Sequence, residues 1–265
     1  MIELRELEFR YNEAGIGVSP RSPLIFQDFD WQVAHGESWA VLGPSGCGKS
    51  TLLYLLAGLH SPTGGAVWVD GEQLAKPRPK TGLILQNYGL LPWATVRQNV
   101  SLGLRMRRFY GPDGRHAPSE AIQENAQAHT AHWLERVGIV DVADKYPSQI
   151  SGGQGQRAAI ARTLVLNPDL LLMDEPFASL DAPTRSSLQQ LVRNLQAEQN
   201  LTTVIVTHSI EEAAVLGEKI LVLGEPPNCN PEIIFNLRAA DADYPETIEY
   251  QQLCSRLRTQ LEAGG

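Results

Sequence analysis

Short continuous apolar runs alternate with longer stretches of helical spacing along most of this chain. Runs over 4–10, 26–33, 39–42, 66–69 and 82–85 predict strands, with Asp70-Gly71 as a turn after the fourth. A helix is expected at 51–59, and a polar excursion over 12–23 joins the first two strands. From about 87 to 167 the spacing is helical, at 96–107, 119–137 and 154–166. A loop at 110–118, with Gly111, Pro112, Gly114 and Pro118, separates the first two of these helices. Strands return at 170–174, 203–207 and 220–223, separated by helices at 184–200 and 210–216. The tail from 224 predicts one more strand at 232–237 and a helix at 247–262, too little for a separate regulatory domain. Apolar strands alternating with helices predict an α/β fold whose mostly parallel sheet is covered on both faces. The pattern shows neither internal repeats nor low-complexity tracts.

At 265 residues the chain can bury one substantial core with a small subdomain attached. Its 22 Lys and Arg face 30 Asp and Glu, a net charge of −8, so the bulk surface repels nucleic acid and anionic lipid. Membrane contact is therefore expected only through a partner. The most apolar stretch, 163–173, is interrupted by Asn167, Pro168 and Asp169, and falls short of the ~20 residues that span a bilayer. Nothing near Met1 has the layout of a signal peptide, and three cysteines without metal-ligand spacing suit a reducing compartment. Both features lead to an expectation of a cytosolic protein.

Chemistry enters with GPSGCGKST, residues Gly43, Pro44, Ser45, Gly46, Cys47, Gly48, Lys49, Ser50 and Thr51. Crowded phosphate charge needs many donors in a small volume, without side chains in the way. Gly43, Gly46 and Gly48 permit the bend that turns successive N–H groups inward, and the positive end of the next helix points into that nest. Lys49 is expected on the β and γ phosphates and the Ser50 hydroxyl on Mg²⁺. LLLMDEP carries a buried strand to Asp174, where ligands of parallel sheets bind. Asp174 is expected to hold Mg²⁺ through its water shell, and Glu175 to polarise the attacking water. SGGQ, Ser151, Gly152, Gly153 and Gln154, makes a second anion site at a helix start. One ATP does not need two cradles from one chain, so each Ser151 is expected to cap the γ-phosphate held by a second copy, in a two-fold dimer.

Together these motifs resemble the nucleotide-binding subunit of an ABC transporter, over residues 2–223. The resemblance implies a P-loop ATPase of ABC type with an antiparallel N-terminal β part. It also implies an inserted helical subdomain at about 87–167, which leaves 224–265 as a short extension. Under it, Tyr11 is the aromatic on which adenine stacks, or a plain strand-end tyrosine. Gln86 is the glutamine that reaches Mg²⁺ and water, or an amide that caps backbone. Asp181 lies in the loop that crosses the dimer interface, or caps a helix. His208 is the histidine that binds the γ-phosphate, or a buried structural residue. Ile150, where leucine is usual, and Ser179, where alanine is common, are mild departures.

An ATPase subunit of an ABC exporter or lipid-transport system and a soluble ABC-type ATPase are the alternatives, but the run 90–96, LLPWATV, followed by Gln98-Asn99-Val100, resembles the nitrate, sulfonate and taurine group of bacterial importers. That implies integral membrane permease subunits as partners, an external solute-binding protein acting indirectly, no nucleic acid, and a peripheral place on the cytoplasmic face of the inner membrane. Leu90, Leu91 and Trp93 either floor a groove for a permease helix or pack the helical subdomain. His129 and His132 share a helix face, with His116 in the preceding loop; a solvated surface is expected rather than a metal site. The run 76–80, KPRPK, is read as an exposed loop.

Overall fold

Three central strands are buried along their whole length, and their side chains divide by parity. The computed structural model describes residues 1–11, 23–110, 123–239, 241 and 243–263. Its strands are β1 (Ile2–Arg10), β2 (Leu24–Val33), β3 (Ser38–Leu42), β4 (Gly64–Val69), β5 (Glu72–Gln73), β6 (Thr81–Ile84), β7 (Leu170–Asp174), β8 (Thr202–Thr207), β9 (Lys219–Val222) and β10 (Glu232–Phe235). Its α-helices are α1 (Lys49–Leu56), α2 (Val96–Tyr110), α3 (Gln123–Arg136), α4 (Gly152–Leu164), α5 (Ala182–Gln199), α6 (Ile210–Leu216) and α7 (Ile248–Ala263). Leu170 and Leu172 of β7, Val204 and Val206 of β8, and Trp39 and Val41 of β3 enter one core with Phe26, Phe29 and Leu52. Leu171, Met173 and Ile205 face the opposite way, into a core with Val100, Leu134, Ile160 and Leu188 of the helices. Such two-sided burial explains why these strands carry unbroken apolar runs.

The main sheet has the order β10-β9-β3-β8-β7-β6. Its strands from β9 to β6 run parallel, while β10 joins β9 antiparallel. A second, antiparallel sheet, β2-β1-β4-β5, closes over the first core. Helices α2, α3 and α4 fill the path between β6 and β7. No helix among the described residues is long and apolar enough to cross a membrane.

Most expected elements stand within a few residues of their places, with instructive differences. The first helix starts at Lys49 and ends at Leu56, earlier than the apolar spacing suggests, because a left-handed Gly48 opens it and a left-handed Gly58 turns the chain away. After the Asp70-Gly71 turn a two-residue strand, β5, completes a hairpin too short for any periodicity to announce. Within the KPRPK loop, Arg78 pairs with Asp169 and Asp70 and ties the loop to the foot of β7. Of the loop expected at 110–118, Tyr110 instead ends α2, which runs past its expected limit at 107, while 111–118, most of the excursion 12–23, His116 and the first residues of the 119–137 helix lie outside the described residues. The tail is woven in: Ile234 and Leu257 share a core with Ala40, Leu42, Ala213 and Ile220.

Candidate functional site

Strand register decides which residues meet. Leu42 lies beside Thr207, Asp174 beside Val206, and Ile84 beside Met173, so the carboxyl ends of β3, β8, β7 and β6 finish at one edge of the sheet. The run 43–51 begins directly after β3, and His208, Glu175 and Gln86 follow within two positions of the other three ends.

The loop after β3 bends at Gly46 and Gly48, where φ is +84° and +109°, values that a side chain would strain. Lys49 is buried, and its ammonium donates to the carbonyls of Gly43 and Pro44, both at 2.8 Å. Helix α1 has no side-chain cap and no acid in its first turn, whereas Ser151, Asp181 and Ser209 cap α4, α5 and α6. Its start thus carries neither a side-chain cap nor a first-turn carboxylate to offset the positive end of the helix. Cys47 is buried behind the loop, and burial pushes its thiol pKa up. The Tyr11 hydroxyl meets Thr51 Oγ1 at 2.7 Å, and its half-exposed ring stands edge-on to Phe9 and His60.

Ser50 donates its hydroxyl to Asp174 Oδ1 at 3.1 Å. Asp174 is buried, and desolvation raises its pKa above the ordinary aspartate value, with the neighbouring Glu175 adding to the rise against the pull of Ser50 and Lys49. Glu175 adopts φ +45°, and its N–H is anchored on Val206 O at 2.8 Å. The carboxylate then takes His208 Nδ1 at 3.0 Å on one oxygen and Gln86 Nε2 at 3.3 Å on the other. His208 is exposed, so the buried structural alternative does not hold, and the Gln86 amide reaches a carboxylate rather than capping backbone.

Ser151 and Asp181 form a second group. The Ser151 hydroxyl accepts the Gln154 N–H at 3.3 Å while Gln154 returns a bond to the Ser151 N–H, a reciprocal cap. Ser151 and Gly152 are exposed, and the serine O–H remains able to donate. Asp181 accepts the Thr184 N–H at 3.1 Å, which holds its carboxyl below the usual aspartate range. The helix-cap alternative for Asp181 is therefore what its side chain does here. The starts of α4 and α5 touch, since a Cβ on Gly153 would lie 2.4 Å from Thr184 Cγ2.

Residues 26–178 match the family model described as ABC transporter. The chain belongs to the ABC transporter family.

Its relatives include the aliphatic sulfonates import ATP-binding protein SsuB of Bacillus thuringiensis subsp. konkukian, 37% identical over 91% of this chain and 90% of that one. The nitrate import ATP-binding protein NrtD of Synechococcus elongatus is 39% identical over 79% of this chain and 73% of its own. Among solved structures, the dimeric post-hydrolysis state of the ATP-binding cassette MJ0796 bound to ADP and Pi superposes with a TM-score of 0.73 at 30% identity. It covers 88% of this chain and 98% of that one.

Two supports of this candidate site escaped the sequence. Asn228, in the tail, is buried beneath the phosphate loop and donates to Cys47 O at 2.8 Å and Ile25 O at 3.3 Å, while accepting the Gly224 N–H at 3.0 Å. Nothing in its polar surroundings signals that role. Glu212, an acid in the first turn of α6, is buried. It accepts the Thr207 hydroxyl at 2.6 Å and lies 3.8 Å from Arg185. Its place on the same face of α6 as Ala213 and Leu216 is the signal that could have found it.

Burial raises the Glu212 pKa above the usual glutamate value, with nearby Glu175 pushing the same way and Thr207, Arg185 and His208 opposing it. A raised folded pKa contributes stability that is complete below the unfolded value and lost as pH rises through the folded one. Glu212→Gln should therefore raise the melting temperature of the nucleotide-free chain at pH 8, with a gain that shrinks toward pH 4. Thermal melts at both pH values check this, and an equal gain at both would contradict it.

Proposed function

We propose that this chain is the ATP-hydrolysing subunit of a bacterial importer, in which two copies close around ATP and drive uptake of a small solute through separate integral membrane permease subunits. The observation that carries the reading is the convergence at one sheet edge of an uncapped helix start with Lys49, the Ser50–Asp174 pair, and the Gln86–Glu175–His208 group. The Ser50 hydroxyl, the Asp174 carboxylate and the Gln86 amide oxygen are hard oxygen donors of the kind Mg²⁺ takes. Mg²⁺, when bound there, offsets charge on the phosphates.

Lys49 exchanges its two carbonyl partners for the β and γ phosphates, while residues 43–51 supply N–H donors. Glu175 accepts the proton of the attacking water, and His208 and Gln86 hold that carboxylate in place and face the γ-phosphate. Tyr11 offers the exposed part of its ring to the base. Ser151 donates to the γ-phosphate held by the second copy, and the segment around Asp181 crosses between copies. ATP favours the closed pair because it binds that state better than the open one.

Residues 1–223 act as the ATPase unit, with the helical stretch 87–167 as the part facing the permease and 224–265 as an extension that props the phosphate loop. Trp93, 74% exposed, with half-buried Leu90 and Leu91, suits the floor of a permease groove. The chain then works at the cytoplasmic face of the inner membrane, and the external solute-binding protein acts on it only through the permease. Relatives named for sulfonates and nitrate point to a small anion as cargo.

Reconstitution of the chain with its cognate permease subunits in vesicles tests this. ATP-dependent anion uptake, stimulated by the external binding protein, is the expected outcome. Failure of the chain to associate with the permease, or uptake indifferent to ATP, would overturn it.

A further inference from the structure

Two residues beyond Gln86, the side chain of Tyr88 lies across the start of α4. Its main chain sits in the left-handed region at φ +60°, a conformation a tyrosine adopts only when held. Arg162, reaching back from α4, holds it, donating to Tyr88 O at 2.8 Å and Gly89 O at 2.6 Å. The ring lies on glycines of α4. A Cβ on Gly155 would stand 3.3 Å from Tyr88 Cδ2, and one on Gly152 would stand 3.4 Å from its hydroxyl. Beyond the glycines, that hydroxyl meets Ser179 Oγ at 2.8 Å. Ser179 lies in the short turn 175–180, which is closed by Ala178 N–H on Glu175 O and Leu180 N–H on Phe177 O and runs from Glu175 to Asp181.

We propose that Tyr88 is a positioning residue that links the two ATP sites of the closed pair. The inference rests on the functional reading above. Under that reading, Gln86 and Glu175 serve the nucleotide a chain holds, whereas Ser151 serves the nucleotide of the other copy. Tyr88 touches all three neighbourhoods: the Gln86 segment by chain continuity, the Ser151 helix through its ring, and the Glu175 turn through its hydroxyl. A shift at one ATP site is transmitted as a displacement of packed groups to the element that serves the other. Ser179 takes a direct part, because the hydroxyl at this position is the acceptor or donor that the tyrosine engages.

Steady-state ATP hydrolysis by the full-length chain and its Tyr88→Phe, Ser179→Ala and doubly substituted forms tests the link, with single-chain ATP affinity and melting temperature measured alongside. Both hydroxyls lie at the surface, so their loss leaves no buried polar atom unpaired. We expect each single substitution to lower the maximal rate about three- to tenfold, the worth of one neutral hydrogen bond. The Hill coefficient for ATP should fall toward one, with affinity and melting temperature unchanged. The double form should be no worse than the more affected single form. An unchanged rate and Hill coefficient in Tyr88→Phe, single losses that multiply in the double form, or losses that merely follow a lowered melting temperature would each overturn the link. A wild-type chain that fails to hydrolyse ATP would instead sink the functional reading, and the link with it.

Discussion

A Glu175→Gln chain will bind ATP about as well as the native protein, hydrolyse it about 100- to 10,000-fold more slowly, and accumulate as a dimer in Mg-ATP. The reason lies in what the substitution keeps. Glu175 is placed by its own backbone, through the N–H bond to Val206 O and a left-handed φ, so a side chain of equal length occupies the same position. Its amide can still meet Gln86 and His208, which lie at 3.3 and 3.0 Å from the native carboxylate. What is lost is the proton acceptor. Lys49 and Ser50 still gather the phosphates, so closure proceeds and the step that would reopen the pair does not. Light scattering after gel filtration, with ATP and then with ADP, reads the outcome together with phosphate release. A variant that stays monomeric in saturating Mg-ATP would count against ATP as the link between copies.

Lys49→Ala should instead fail at the first step, with nucleotide affinity reduced about tenfold to more than a hundredfold and hydrolysis and transport falling with it. A buried ammonium bonded to two loop carbonyls is held at the mouth of α1 by the loop it serves. Removing it takes away a cation pinned there and leaves the Gly43 and Pro44 carbonyls without their donor. Equilibrium binding of a fluorescent ATP analogue, with circular dichroism to confirm the fold, separates this from unfolding. Native turnover in the variant would mean that residues 43–51 do not hold the phosphates. The two variants thus fail in opposite senses, one unable to load and the other unable to reopen.

Much of this was legible in the chain because the decisive signals are local. The apolar runs of β3, β7 and β8 identify themselves, since a strand covered on both faces has no polar side to show. The expectation of phosphate binding at 43–51 is equally local, because that chemistry needs glycines, a lysine and a hydroxyl within nine consecutive residues. Gln86 and His208 were harder. Each is a single residue at a strand end, and only the register of β6, β7 and β8 brings them to opposite oxygens of the Glu175 carboxylate.

Sequence by itself determined most strands and helices and the order of the motifs, and it carries the expectation of phosphate chemistry at residues 43–51, because those depend on periodicity and on neighbours a few positions away. Tertiary structure alone decided that Asn228 props the loop 43–51, that Glu212 is buried against Thr207, and that Tyr88 spans from the glycines of α4 to Ser179. The Tyr88–Ser179 and Asn228–Cys47 hydrogen bonds join positions 91 and 181 residues apart, and the Glu212 contact turns one acid of a short helix inward. Neither event leaves a period or a spacing behind, because each is settled by how finished elements pack.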